Sequence, residues 1–158
     1  MKLRTVLPML AVATFALTAC ASKVNYEEFH KKAVEAVEKA KDVSYSKVVV
    51  GGYTKDEDGK KEEFDNVEIR FEKGAYATKS ALLSDPVAYA SEGILVGMLT
   101  ALRADMIGEE ENTTYYAGST FKVVSEKDGD KYTAEWNEFG LLTSMDGDGT
   151  KYTVKYTK

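Results

Sequence analysis

The spacing of apolar positions between residues 26 and 41 predicts an amphipathic helix. Asn25, followed three positions later by Glu28, matches the capping box that starts many helices. Charged residues occupy the positions between the apolar ones, so we expect one helical face to pack on an apolar surface and the other to meet solvent. The predicted buried stripe consists of Tyr26, Phe29, Ala33, Ala36, Val37 and Ala40.

From residue 44 onward the pattern becomes the alternation typical of strands. Residues 44–54 are rich in β-branched side chains, and the Gly51-Gly52 pair predicts a bulge within that strand. Residues 67–72 alternate strictly between apolar and charged side chains, which predicts a second strand with one buried face. A short third strand is predicted at 75–79 after a Lys-Gly turn.

Residues 86–106 are predicted to form a second helix that is apolar on most of its circumference. Asp85 and Pro86 form a start signal, with the Asp as the N-cap. Glu92 interrupts the apolar run and only residues 93–102 lack charge, which is well short of the roughly 20 residues that span a bilayer. Such a helix is either buried in a core or has a second face that lines a groove.

The C-terminal third of the chain reads as an antiparallel meander. With the preceding elements it predicts an α+β fold. We expect a curved antiparallel sheet of about seven strands, with an N-terminal helix and a central helical segment packed on one face in a half-barrel-like arrangement. One domain at 25–158 accounts for the folded chain. The last four predicted strands are 113–125, 130–137, 140–146 and 149–157.

The first twenty residues have the composition of a signal peptide. Lys2 and Arg4 form a basic start, and an apolar stretch of signal-peptide length follows from residue 6 to residue 17. The stretch ends in Leu17-Thr18-Ala19-Cys20, which resembles the lipobox of bacterial lipoproteins.

The lipobox resemblance implies that residues 1–19 are removed and that Cys20 carries diacylglycerol and further acyl chains. The protein would then be anchored through Cys20 to the extracytoplasmic face of a bacterial membrane, in the cell envelope. Residues 20–24 would form the lipidated end and a short tether. Its four residues after the cysteine reach about 14 Å when extended. The alternative is an ordinary secretory signal, cleaved after Ala19, that leaves a free thiol.

Composition excludes several kinds of site. The chain has one Cys and one His, so it has no intrachain disulfide, no multi-cysteine zinc site and no site with two imidazoles. Removal of Lys2 and Arg4 with the signal lowers the basic count from 21 to 19 against 26 acids, so the net charge changes from −5 to −7. This balance argues against a nucleic-acid partner, because such binding needs a basic face. We predict no cofactor and no metal.

Catalytic signals are weak. His30 is the only histidine, and no GxSxG-type motif accompanies it. The Asp-Gly cluster at 146–149 fails as an EF-hand loop, because the alignment puts Lys155 where a Glu is needed, and the cluster at 56–59 fails in the same way. Hairpin turns explain both clusters. We therefore predict a protein that is not an enzyme, with an NTF2-like or cystatin-like enzyme scaffold as the least favoured alternative.

The aromatic and apolar residues suggest a ligand cavity. The chain has ten tyrosines, most of them in predicted strands, next to the apolar helix. We expect an apolar ligand to lie between the sheet and helix 86–106. The candidate lining residues are Ile94, Met98, Leu102, Trp136, Tyr132 and Phe71.

The order of elements across residues 25–157 resembles Lol-type lipoprotein carriers and related lipid-carrier lipoproteins. The run from Trp136 to Thr143 is similar to the strand, turn and Gly-Leu sequence near the end of such sheets. The resemblance implies a curved sheet that wraps around helices and a cavity for lipid. The alternative is a protein–protein module for envelope assembly, which would use its acidic face or a strand edge at 44–54 or 149–157.

Overall fold

A computed structural model describes residues 21–80 and 86–158. The predicted signal peptide, Cys20 and the predicted cap Asp85 lie outside the described residues. The described helices are α1 (Tyr26–Ala40) and α2 (Pro86–Ala101), and a 3₁₀ turn follows at Ala104–Met106. The strands are β1 (Ala21–Val24), β2 (Tyr45–Lys55), β3 (Lys61–Glu72), β4 (Ala75–Thr78), β5 (Thr113–Gly118), β6 (Phe121–Lys127), β7 (Asp130–Trp136), β8 (Leu142–Gly147) and β9 (Thr150–Thr157).

The described strands form one open antiparallel sheet in the order β1-β5-β6-β7-β8-β9-β2-β3-β4. The α+β class with an antiparallel sheet is confirmed, but the predicted count of about seven strands is wrong, because this sheet has nine. One extra strand arises because the predicted run 113–125 contains a tight turn at Ser119 and Thr120. The turn includes Gly118, whose N–H donates to the Thr120 carbonyl oxygen, so the Gly-Ser pair was a turn signal that the prediction missed.

The other extra strand is the segment expected to be a tether. Ala21–Val24 forms β1 and pairs with β5, from Ala21 opposite Gly118 to Val24 opposite Tyr115. The sheet therefore begins at the residue immediately after Cys20. A four-residue strand depends on its partner for its hydrogen bonds, so local sequence gave no indication of it.

The edges of the sheet also differ from the expectation. The strands expected at 44–54 and 149–157 are β2 and β9, and they pair with each other inside the sheet. The edges are formed by β1 and β4, which have four residues each. Short edge strands offer few free backbone groups to a partner strand.

One face of the sheet carries the core. Cross-strand register puts Trp136 opposite Phe121, and Val48 opposite both Tyr156 and Ile69, so these side chains share a face. Both helices pack on this face, and their buried residues join the strand residues in one apolar cluster.

The α1 helix forms as the sequence predicts. Asn25 accepts a hydrogen bond from the Glu28 backbone N–H at 2.8 Å, which caps the first turn. Phe29 is fully buried, and its ring lies 5.8 Å from Phe121 and 6.1 Å from Trp136, measured between ring centroids. This helix covers the sheet around β5 to β7.

The second helical segment ends earlier than the predicted limit of residue 106. The α2 helix stops at Ala101 and packs on the same face of the sheet as α1, against β3 and β4. The indole N–H of Trp136 then donates to the Leu102 carbonyl oxygen at 2.6 Å. The Ala104 N–H donates to the Gly140 carbonyl oxygen at 3.0 Å, so the chain after α2 is tied to the turn between β7 and β8.

Gly140 allows this close approach. Its φ is +67°, and a Cβ at this position would lie 2.9 Å from a methyl group of Val37 in α1. Asn137 supports the same turn, because its side-chain oxygen accepts from the Phe139 and Leu141 backbone N–H groups. The run 136–143 is therefore the junction between the sheet, α1 and the segment after α2.

Candidate functional site

A cavity of about 240 Å³ opens on the core face where the sheet extends beyond α1. Phe29 covers the row of the sheet that contains Phe121 and Trp136. The next row begins under α1, where the Tyr115 ring lies 5.2 Å from Phe29, and its residues form the apolar floor of the cavity. The floor runs from β5 to β9 through Tyr115, Val123, Ala134, Met145 and Tyr152.

The loop after the 3₁₀ turn closes one side of the cavity. The Tyr115 hydroxyl donates to the Gly108 carbonyl oxygen at 3.1 Å and accepts from the Glu110 N–H at 2.9 Å. The Tyr26 hydroxyl donates to the Ile107 carbonyl oxygen at 3.0 Å. Two tyrosines, one from α1 and one from β5, therefore hold the loop against the sheet.

Aromatic side chains and carboxylates dominate the polar character of the cavity. Tyr132 and Tyr152 line it together with Tyr115 and Trp136, and Glu110 and Asp146 are its two charged residues. Among the described residues that line this cavity there is no Lys, Arg or His. The environment favours a neutral or cationic group over an anion.

The pKa values of two lining tyrosines reflect the same acidic, partly buried environment. Burial raises the pKa of Tyr132 above its ordinary value, and the negative charges of Asp148, Asp130 and Asp128 raise it further. Burial likewise raises the pKa of Tyr115, although the N–H that it accepts from Glu110 lowers it in part. Both hydroxyls stay protonated at neutral pH and can donate or accept hydrogen bonds.

The structure brings together only two of the residues that we expected to line a cavity. Trp136 and Tyr132 line it. Phe71 is fully buried beside Tyr76, with ring centroids 5.0 Å apart, at the far side of the sheet. Ile94 is 74% exposed on α2 and does not line it.

The other two expected lining residues, Met98 and Leu102, are partly buried against the core. They too lie outside the cavity, so its position is not between the sheet and helix 86–106 as expected. Lipidation of Cys20 concerns a residue outside the described part of the chain.

The cavity residues that sequence reasoning missed are strand residues with small or flexible side chains. Val123, Ala134 and Met145 sit at alternating, inward positions that the sequence could identify as one face of a strand. The missing information was which part of that face α1 leaves uncovered.

A second feature is the exposed side of α2. Only Glu92 and Leu99 are buried in this 16-residue helix, while Ile94 and Tyr89 are 74% and 51% exposed. The Glu92 carboxylate accepts hydrogen bonds from the Ser80 N–H at 2.8 Å and the Ser80 hydroxyl at 2.6 Å. The helix thus turns its carboxylate inward and apolar side chains outward.

No described residues, in 21–80 or 86–158, form a group of three or more His, Cys, Asp or Glu side chains suited to a metal ion. Asp56 takes part in a hairpin turn instead, because its side chain accepts from the Lys60 N–H at 2.8 Å. His30 lies on α1 with its ring 5.8 Å from the Tyr26 ring. None of the helices described is both long and apolar enough to cross a bilayer.

The chain matches no protein-family model, no curated protein and no solved structure.

Proposed function

We propose that this chain is a lipid-anchored, non-catalytic binding domain on the extracytoplasmic face of a bacterial membrane. Its ligand would carry an apolar group into the cavity between β5 and β9. The anchoring rests on the lipobox-like sequence that ends in Cys20. The binding rests on one observation, the cavity floored by an apolar row of the sheet and walled by aromatic side chains.

The size of the cavity limits the ligand. Its volume of about 240 Å³ exceeds the ~150 Å³ of an engineered apolar cavity that binds benzene. It falls just below the ~300 Å³ at which pockets for drug-sized ligands begin. The cavity therefore suits one ring system or one end of a hydrocarbon chain, and the remainder of a lipid would lie outside it.

The charges at the cavity limit the ligand further. Glu110 and Asp146 are acidic, and the lining offers no basic side chain among the described residues. An anionic head group would meet repulsion there, because a partly desolvated site screens charge less than water does. The favoured ligand is a neutral or cationic amphiphile, whose positive charge could also lie against a Tyr or Trp ring.

The sole tryptophan provides a direct assay. Trp136 lines the cavity, so energy transfer from it to a bound fluorescent probe reports binding at this place. The chain from Ala21 onward contains every described strand and helix and avoids interference from a lipid anchor. N-phenyl-1-naphthylamine, which is neutral, and 8-anilinonaphthalene-1-sulfonate, its anionic counterpart, form a matched pair of probes. We expect the neutral probe to bind several-fold more tightly.

A matched pair of substitutions tests whether the probe binds in the cavity. Ala134→Leu fills the cavity and should abolish the energy transfer. Ala75→Leu adds the same atoms at an exposed position of β4 and should leave it unchanged. Equal binding by both variants, or no binding by the unchanged protein, would refute the proposed ligand site. Intact mass of the full-length protein from a bacterial membrane tests the acylation of Cys20 separately.

A further inference from the structure

The chain enters the sheet at one end of the strands. β1 starts at Ala21, which lies opposite Gly118 at the end of β5, beside the turn between β5 and β6. Cys20 is bonded to Ala21, and consecutive Cα atoms are about 3.8 Å apart. Acyl chains on Cys20 would therefore be attached directly to this end of the sheet, without an intervening linker.

The antiparallel register assigns each hairpin turn of the sheet to one of two ends. The end that contains Ala21, which we call the proximal end, has the turns 119–120, 137–141 and 73–74. The opposite, distal end has the turns 128–129, 148–149 and 56–60. Five residues of β5, from Gly118 to Thr113, cover the distance between the two levels, which is about 17 Å.

The two ends also differ in charge. In the proximal turns the charged residues are Glu138 and Lys73. The distal turns contain one base, Lys60, and several acids, and the loop before β5 adds the three glutamates 109–111 at the same end. The acids of the distal turns are Asp56, Glu57, Asp58, Asp128 and Asp148. Anionic lipid head groups would repel the distal end, because like charges repel. Charge therefore favours the same orientation as the point of chain entry.

The cavity lies toward the distal end. Its lining includes Gly108 from the loop before β5, and Gly147 and Thr150 on either side of the turn between β8 and β9. Toward the proximal end, Phe29 packs against Phe121 and Trp136. This packed aromatic row separates the cavity from the end of the sheet that follows Cys20.

We propose that acylated Cys20 holds the domain upright, with the proximal turns at the lipid head groups and the cavity toward the aqueous space. This proposal rests on the lipid anchor and the ligand site proposed above. The cavity then receives its ligand from the aqueous space and not from the leaflet that holds the anchor. The ligand class narrows to neutral or cationic amphiphiles that reach the domain through water.

The two ends of β6 provide matched positions for a label. Ser119 in the proximal turn and Lys127 at the distal end of the strand are both exposed. Cys20 is the only cysteine, and acylation blocks its thiol. Ser119→Cys or Lys127→Cys therefore supplies the one reactive thiol for a nitrobenzoxadiazole label. The labelled, acylated proteins are placed in phosphatidylcholine vesicles, with and without lipid that carries a nitroxide on its head group.

We expect the nitroxide to quench the label at position 119 several-fold more strongly than the label at position 127, because β6 holds the second label away from the head groups. Equal quenching at the two positions, whether strong or absent, would overturn the proposal, since the sheet would then lie along the bilayer or apart from it. Stronger quenching at position 127 would place the cavity against the leaflet, which overturns the proposal as well.

Intact mass distinguishes failure of the orientation from failure of the anchor. A chain without acyl mass overturns the anchor, and the proposed orientation falls with it. A fully acylated chain with equal quenching at the two positions overturns the orientation alone. The binding of N-phenyl-1-naphthylamine by the chain from Ala21 onward tests the ligand site independently of both.

Discussion

The α1 helix buries four apolar side chains completely against the sheet, whereas α2 buries one completely and leaves Val87, Tyr89 and Ile94 largely exposed. In α1 the buried positions are Phe29, Ala33, Ala36 and Ala40. In α2 they are Leu99 and the carboxylate-bearing Glu92. Both helices therefore pack on the core through apolar side chains, but α1 buries more of them completely, and α2 adds hydrogen bonds between Ser80 and Glu92.

The sheet on the α2 side also has an apolar core, with Val48, Ile69 and Phe71 fully buried, but it contains a hydrogen-bonded pair of tyrosines as well. Under α1 the aromatic contacts of Phe29 are mostly hydrocarbon, with Phe121 and Trp136. On the side of α2, Tyr156 donates to the Leu142 carbonyl oxygen at 2.7 Å and accepts from Tyr76 at 2.7 Å. The two sides should therefore respond to different perturbations: loss of the Phe29 ring on the α1 side, and loss of the Glu92 or tyrosine hydrogen bonds on the α2 side.

The largest expected effect is on the α1 side. Phe29→Ala should destabilise the protein by about 3–5 kcal/mol, because it removes a fully buried ring and leaves a cavity. Val34→Ala, on the outer side of the same helix, should change stability by less than about 0.5 kcal/mol. Denaturant unfolding measures both. Similar losses for the two variants would contradict the packing described for α1.

A smaller effect is expected where α2 meets Ser80. Glu92→Ala should cost about 1–3 kcal/mol, because the Ser80 N–H and hydroxyl lose their acceptor in a buried place. Glu92→Gln keeps an acceptor oxygen and should cost less. Thermal unfolding gives the magnitudes, and hydrogen exchange should show faster opening of α2 than of α1. Unchanged exchange across α2 in Glu92→Ala would show that the helix is held by other contacts.

The smallest effect concerns alkaline pH. Burial raises the pKa of both Tyr76 and Tyr156 well above the ordinary value. In the unfolded chain these groups lose their protons near pH 10, while the folded protein retains them. Stability from the pair is therefore complete below about pH 10 and decreases as the pH rises further.

A substitution of Tyr156 tests whether the buried tyrosine pair causes this loss of stability at alkaline pH. Tyr156→Phe should make the loss of stability above about pH 10 shallower, at a cost at neutral pH of about 1 kcal/mol for each of the two hydrogen bonds that it removes. Tyr89→Phe, at a residue 51% exposed on α2, is the control. Denaturant unfolding between neutral pH and pH 11 provides the measurement. Identical slopes in the two variants would exclude the buried pair as the cause.

The sequence predicted the features that depend on near neighbours in the chain. The cap at Asn25 and the apolar stripe of α1 place that helix within one residue of its observed end. The bulge at Gly51-Gly52 appears as a shift in the pairing of β2 with β3. Alternation correctly assigned the inward face of residues 67–72, since Ile69 and Phe71 are fully buried. The lipobox resemblance at Leu17–Cys20 is likewise local and stays a prediction.

Other features depend on partners that are distant in the chain. β1 exists because Ala21–Val24 pairs with β5 almost a hundred residues later in the chain. The composition of α2 predicts an apolar helix, but only packing decides that Glu92 faces Ser80 and Ile94 faces outward. The cavity opens along the row that contains Ala134, of which α1 packs only on the Tyr115 end. Periodicity identifies which residues share a face of a strand or helix. The register of the sheet and the elements packed on it decide which of those residues remain exposed.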